Sequence, residues 1–128
     1  MSMTDWCELK MLQALVSEAP QMYLALFTGG PADDGTGGTE VSGAGYVRPL
    51  IPFGAPAADG DGSTRMSNVS AFNFPTAGED WGTVSAWGVF DAQTDGHLLW
   101  FQEFDVPQSV PSGSVVAVRE GDVSVSAE

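Results

Sequence analysis

His97 and Cys7 are the only histidine and cysteine in 128 residues, and they set the limits of the chemistry this chain can do. A Ser–His–Asp mechanism would have to run through His97, since no second imidazole base exists. No G-x-S-x-G elbow presents a serine to it, so His97 is expected to be a plain strand residue beside a turn. Zinc needs several His/Cys ligands, and two in the whole chain do not supply them. Cys7 falls in the first turn of an expected helix, where the dipole would favour a thiolate. Without a partner cysteine or histidine nearby, it reads as a small apolar side chain.

Carboxylates are the abundant reactive group. Asp33-Asp34-Gly35 and Asp59-Gly60-Asp61-Gly62 place them on glycine-rich turns, the ligand type a hard cation takes. Ser63, Thr64 and Arg65 follow the second, however, with no downstream glutamate at the EF-hand position, and solvated acidic turns are expected. Glu79-Asp80 beside Trp81 has the residue types of a glycosidase cleft. With seventeen acids in the chain some close pair is inevitable, and Trp81 is expected to plug the end of the fold. Gly43, Gly45, Gly60 and Gly62 form no phosphate cradle, because none lies between a strand and a helix with a following lysine. The expectation is a protein that is not an enzyme, with no catalytic residue, no cofactor and no metal.

Charge narrows the partners. Seventeen acids against Lys10, Arg48, Arg65 and Arg119 give a net charge of −13. Four scattered cations make no basic stripe, so neither nucleic acid nor an anionic membrane surface is an expected partner. Such acidity keeps copies apart until a specific contact overcomes the repulsion. Met1–Cys7 has no signal-peptide pattern, no stretch approaches the roughly 20 apolar residues of a membrane span, and synthesis in the cytoplasm is expected.

The elements that position these residues are mostly strands, and the length suits a single domain over 1–128. Asp5 as cap and Glu8 three residues on suggest a capping box. Leu9, Leu12 and Val16 then share one face, giving a helix over 5–17 that Pro20 ends. From 22 to 126 the helical period is gone. Expected strands are Met22–Thr28, Tyr46–Phe53 (bent or at an edge because of Pro49 and Pro52), Ser70–Phe74, Thr83–Phe90, His97–Phe104, Ser114–Arg119 and Asp122–Ser126. Asp91–Gly96 and Glu120-Gly121-Asp122 look like hairpin turns. Ten of the sixteen glycines fall between Gly29 and Gly62, predicting two long Gly-rich loops, Gly29–Gly45 and Gly54–Arg65. The fold class is therefore mainly β: an antiparallel β-sandwich or barrel with one short N-terminal α-helix and long Gly-rich loops. Leu24, Leu26, Phe74, Val89, Leu99, Val116 and Val118 are expected in its core.

The ordered motifs carry a family resemblance. They begin with Tyr23-Leu24-Ala25-Leu26-Phe27-Thr28, Pro31, Gly35 and the run from Gly38-Thr39-Glu40-Val41 through Gly45-Tyr46-Val47-Arg48. Phe74-Pro75, Trp81-Gly82-Thr83-Val84 and Trp87-Gly88-Val89-Phe90-Asp91 follow. Gly96-His97-Leu98-Leu99-Trp100, Pro111-Ser112-Gly113 and Gly121-Asp122-Val123-Ser124-Val125 complete the series. Together they resemble a family of small phage virion proteins, usually labelled tail-fibre-like, whose relatives include capsid decoration or cement proteins. Arg48-Pro49 and the Asp59–Gly62 insert depart from its pattern.

The resemblance implies a structural, many-copy role in a virion and transfers no catalytic residues. The leading expectation is a decoration or cement protein on the outside of the head shell. The alternatives are a tail-associated or fibre-base component, and a carbohydrate-binding module using Trp81, Trp87 or Trp100. Implied partners are the major capsid protein or other virion proteins, with self-association around a capsid symmetry axis. Docking candidates are Trp6, Leu9 and Leu12 on the helix, Thr36, Glu40 and Val41 in or beside the first glycine-rich loop, and Tyr46 and Arg48. The helix is expected to cover its own β domain, because an isolated helix of that length is marginal in water.

Overall fold

The computed structural model describes residues 4–18, 21–29, 38–58 and 64–127. One helix, α1 (Asp5–Glu18), precedes β1 (Tyr23–Gly29), β2 (Thr39–Glu40), β3 (Ala57–Ala58), β4 (Thr64–Ser67) and β5 (Phe72–Asn73). Then come β6 (Gly82–Phe90), β7 (Leu98–Val110), β8 (Ala117–Val118) and β9 (Ser124–Ala127). The strands form sheets ordered β2-β1-β6-β7 and β3-β4-β9, with β5 beside β8. The fold is mainly β and antiparallel, and among the described residues no sheet closes into a barrel.

Contacts divide the chain into two compact units. One comprises Met1–Gln21, Ile51–Phe72 and Val118–Glu128; the other comprises Met22–Leu50 and Asn73–Ala117. In the first, α1 packs on β3, β4 and β9. Leu12, Met66, Val123 and Val125 are buried there, so the amphipathic helix covers strands of its own unit, as its short length requires. Its cap differs from the expectation: the Thr4 hydroxyl, not Asp5, accepts the Cys7 amide at 3.3 Å. Thr4 is thus the N-cap and Asp5 the first helical residue.

The second unit is built on β1 and β6. Leu24, Ala25, Leu26 and Phe27 are all buried, so β1 is covered on both faces, which explains its continuous apolar run. Cross-strand register places Ala25 opposite Gly88 and Phe27 opposite Ala86, and Phe27 packs with Ala25, Ala86 and Phe90. A Cβ on Gly88 would lie 3.0 Å from the Phe27 ring and 2.7 Å from Leu98 Cδ1. The glycine gives Phe27 its place on the sheet.

β7 is the edge of that sheet, and its ladder with β6 breaks twice. Val89 pairs with Trp100 and Phe90 with Leu98, leaving Leu99 as an extra residue; farther on, Phe104–Pro107 stand against Ser85 alone. These bulges, with Pro107 and the flanking acids Glu103 and Asp105, are features that discourage strand addition along an edge. The first break corrects the expectation for Leu99, which leaves the inward alternation and is half-buried.

Other expectations are corrected by backbone chemistry. Tyr46–Phe53 is not a strand. Pro49 and Pro52 have no N–H to donate, and the segment bonds only at isolated points: Leu50 bridges Tyr23, and Phe53 bridges Asn68. Ser114–Arg119 shortens to β8, and Val116 is half-buried in the irregular stretch before it. The turn at Glu120–Asp122 forms, with Gly121 at φ 83°. It joins β8 to β9, however, and these belong to different sheets, so it is no hairpin. The two glycine-rich segments are not loops throughout: Thr39–Glu40 returns to pair with Phe27 and Gly29, and Ala57–Ala58 pairs with Thr64 and Arg65. Leu24, Leu26, Phe74, Val89 and Val118 are buried as expected.

Candidate functional site

Three of the residues singled out from the sequence, Glu40, Tyr46 and Arg48, meet in the second unit. Beyond β2 the chain follows the outer side of β1: the Val41 amide donates to the Leu26 carbonyl at 2.9 Å and the Leu24 amide to the Pro49 carbonyl at 3.1 Å. Between these points the backbone turns away through Gly45, whose φ is 84°. Leu26 therefore has no neighbouring backbone acceptor, and the Tyr46 hydroxyl takes that role at 3.1 Å. A Cβ on Gly45 would lie 2.6 Å from the Thr76 carbonyl oxygen, so the close approach that aims Tyr46 requires glycine.

The Tyr46 hydroxyl donates in turn to Glu40 Oε2 at 2.5 Å. Arg48 grips the same carboxylate with two bonds, Nε to Oε2 and Nη2 to Oε1, both 2.7 Å. Its remaining nitrogen, Nη1, donates to the Ala92 and Asp95 carbonyls at 2.9 and 2.8 Å. The guanidinium also stacks 3.7 Å from the Phe90 ring centroid. Arg48 is 6% exposed. This burial is tolerated because the planar fork finds an acceptor for nearly every N–H.

Protonation follows the same contacts. Burial alone would raise the Glu40 carboxyl, but the Arg48 and Tyr46 hydrogen bonds and the Arg48 charge outweigh it and hold Glu40 below the usual carboxylate range. Burial, then the bond to Glu40, pushes the Tyr46 phenol well above its ordinary value. Burial opposes the Arg48 charge, yet Glu40 raises Arg48 overall. The network is thus one fixed arrangement at neutral pH: carboxylate, neutral phenol, guanidinium.

The turn joining β6 to β7 is held from two directions. From within, Arg48 binds its carbonyls. Across its mouth, Asp91 accepts the His97 amide at 2.6 Å and contacts His97 Nδ1 at 2.9 Å, and these two bonds, the backbone one first, lower the Asp91 carboxyl. Asp95, at φ 54°, and Gly96, at φ 76°, turn the chain. His97 is 85% exposed in its side chain and sits just before β7, beside the turn.

A family model for a podophage GP4 fiber I protein, gp80, matches residues 2–126. The chain belongs to that family. No curated protein matches it. Membership makes the chain a phage virion structural protein of tail-fibre-like type, the class its motifs resemble.

Seen as part of a gp80-family fibre protein, the remaining candidates sort by burial. Trp6 is 70% exposed, with the Lys10 ammonium 5.5 Å from its ring centroid, while Leu9 is half-buried and Leu12 and Val41 are buried. Thr36 lies outside the described residues, as do both acidic glycine turns, Asp33–Gly35 and Asp59–Gly62. Glu79 and Asp80 each close a loop: Glu79 accepts the Ala44 amide at 2.9 Å and Asp80 the Ser112 amide at 2.7 Å. Trp81 is 5% exposed, donates to the Ala44 carbonyl at 3.0 Å and packs edge-on against Tyr46 and Phe74. Trp87 and Trp100 are half-buried, with Trp87 edge-on to Phe104.

The arrangement of Glu40, Tyr46 and Arg48 fastens one part of the fold to another, which yields a direct test. Tyr46→Phe leaves the Leu26 amide without an acceptor and one Glu40 lone pair without a donor, at about 1–3 kcal/mol. The melting temperature should fall by roughly 5–10 °C. Amide exchange at Leu26 should speed up relative to its neighbours; an unchanged Leu26 amide would show that the hydroxyl is not its acceptor.

Proposed function

We propose that this chain is a structural, non-catalytic component of a podophage fibre, held in the particle by contacts with other virion proteins. The observation that carries this reading is the match to a fibre-protein family over residues 2–126. It favours the tail-associated alternative over decoration of the head shell. The site supports the same reading from the chemical side. The charged and phenolic groups that the motifs brought together bind one another and the backbone, as parts of a scaffold do.

Fractionation of particles tests it. Purified virions of the phage that encodes the chain are separated into tailless heads and tail assemblies, and each fraction is probed with an antibody to this protein. The expected result is recovery with the tail and fibre fraction. Recovery with tailless heads, in numbers comparable to the major shell protein, would assign it to the shell.

A further inference from the structure

The sheet ordered β3-β4-β9 ends on one side in β9, and its register decides which backbone groups that edge leaves over. The Ser67 carbonyl accepts the Gly54 amide and the Val69 amide donates to the Pro52 carbonyl, while the Asn68 amide donates the opposite way, to the Val123 carbonyl. Residues 64, 66 and 68 therefore turn their backbone toward β9. Met66 stands opposite Val125 and Thr64 opposite Ala127, so these form the hydrogen-bonded pairs of the ladder. Ser124 and Ser126, opposite Ser67 and Arg65, point their N–H and C=O groups the other way, out of the edge of the sheet. Among the described residues no hydrogen bond meets those groups.

This edge differs from the one on β7, which is guarded by breaks, a proline and acids. β9 is Ser-Val-Ser-Ala, paired with β4 without a break and carrying neither proline nor charge. Unpaired backbone groups recurring every second residue match one kind of ligand, another extended chain, which brings an acceptor for each N–H and a donor for each C=O. Charge chooses among such chains. A second copy brings its own −13 to the contact and is repelled. The turn that enters β9 exposes Glu120 and Asp122 against one cation, Arg119, so a strand bearing Lys or Arg beside that turn is favoured over one from a copy of this chain.

We propose that β9 takes up an extended segment of another virion protein as an added strand, which pairs with Ser124 and Ser126 and places Lys or Arg beside the Glu120–Asp122 turn. The source of that strand rests on the reading of the chain as a virion component; the free edge does not. In the test, a phage lacking its own copy grows in cells that supply the wild-type or a variant chain, and the amount per purified particle is measured. Ser124→Pro and Ser126→Pro each remove one outward N–H and leave the bonds to β4 in place. Each purified variant should melt within roughly 5 °C of wild type. Each should nevertheless load about tenfold less, the factor one lost hydrogen bond supplies. Two positions are used so that the edge is still tested where one proline disturbs the strand. Ser124→Thr, which keeps the N–H, should load like wild type, and Glu120→Lys about threefold less. Ser124→Pro should leave the sedimentation of the purified chain unchanged. The proposal is overturned if a proline variant that melts like wild type also loads like it, if Ser124→Thr fails with the prolines, or if Glu120→Lys loads fully. It is also overturned if the purified chain self-associates and Ser124→Pro undoes this, which would give the edge to a second copy. Wild-type chain missing from the particles would instead remove the virion reading, and the source of the strand with it.

Discussion

Arg48→Met should lower the stability of the second unit by about 3 kcal/mol at neutral pH, the low end of what removing one partner of a buried ion pair does. The low end applies because the Glu40 side chain keeps 27% of its exposure, against 7% for Arg48. A loss of that size corresponds to a melting temperature lower by roughly 10 °C. Trp81, Trp87 and Trp100 all lie in this unit, so tryptophan fluorescence in a urea titration reads it. The deficit has a defined pH course. Glu40 is held below its ordinary pKa in the fold, so its contribution is complete above the unfolded carboxylate value of about 4.3 and disappears as pH falls through the lower folded value. The gap between wild type and Arg48→Met is therefore widest at neutral pH and closes in acid. The double variant Glu40→Met/Arg48→Met should recover part of the loss at pH 7, since it leaves no unpaired charge. Equal stability of wild type and Arg48→Met at neutral pH would remove the network from the account of this fold.

How much of this was legible beforehand depends on the range of the interaction. The helix, β1, β6, the start of β7 and the Asp91–Gly96 turn are written in local period and turn chemistry, and they appear where those signals lie. The short strands β2 and β3 sit inside glycine-rich stretches whose composition signals loop; they exist because β1 and β4 offer them edges, which no local pattern encodes. The break at Leu99 is likewise set by pairing across the sheet. Glu40, Tyr46 and Arg48 were conspicuous as a motif, and their types suggested outward contact. What the sequence could not show is that the carbonyls of Ala92 and Asp95, more than forty positions away, complete the coordination of Arg48 and draw it inward. Asn68 has no local signature at all: it is an amide residue between Ser67 and Val69, and its partners lie up to 55 positions off.

That residue gives the second large effect. Asn68 is 1% exposed, and every polar group on its side chain is occupied. Nδ2 donates to the Ser70 and Arg119 carbonyls at 3.0 and 2.7 Å, and Oδ1 accepts the Val123 amide at 3.0 Å. Its backbone joins in, the amide donating to the Val123 carbonyl and the carbonyl accepting the Gly121 amide. One side chain thus holds the turn that leads into β9. Asn68→Asp keeps the shape and the Val123 contact but replaces two donors with an oxygen facing two carbonyls, in a site that water does not reach. Two unmet acceptors at about 1–3 kcal/mol each, together with a buried charge, give an expected loss of about 4 kcal/mol or more at pH 7. Burial raises the new carboxyl above its unfolded value of about 3.9, so the folded state takes up a proton on acidification. Protonation also restores one donor. Stability of the variant therefore falls as pH rises from the unfolded value through the folded one, and it should be closer to wild type near pH 4 than at pH 7. Urea titrations at both values measure the difference. Hydrogen exchange should locate it, with faster exchange at Gly121 and Val123. Asn68→Asp as stable as wild type at pH 7, with those two amides still protected, would show that the turn is held by something other than Asn68.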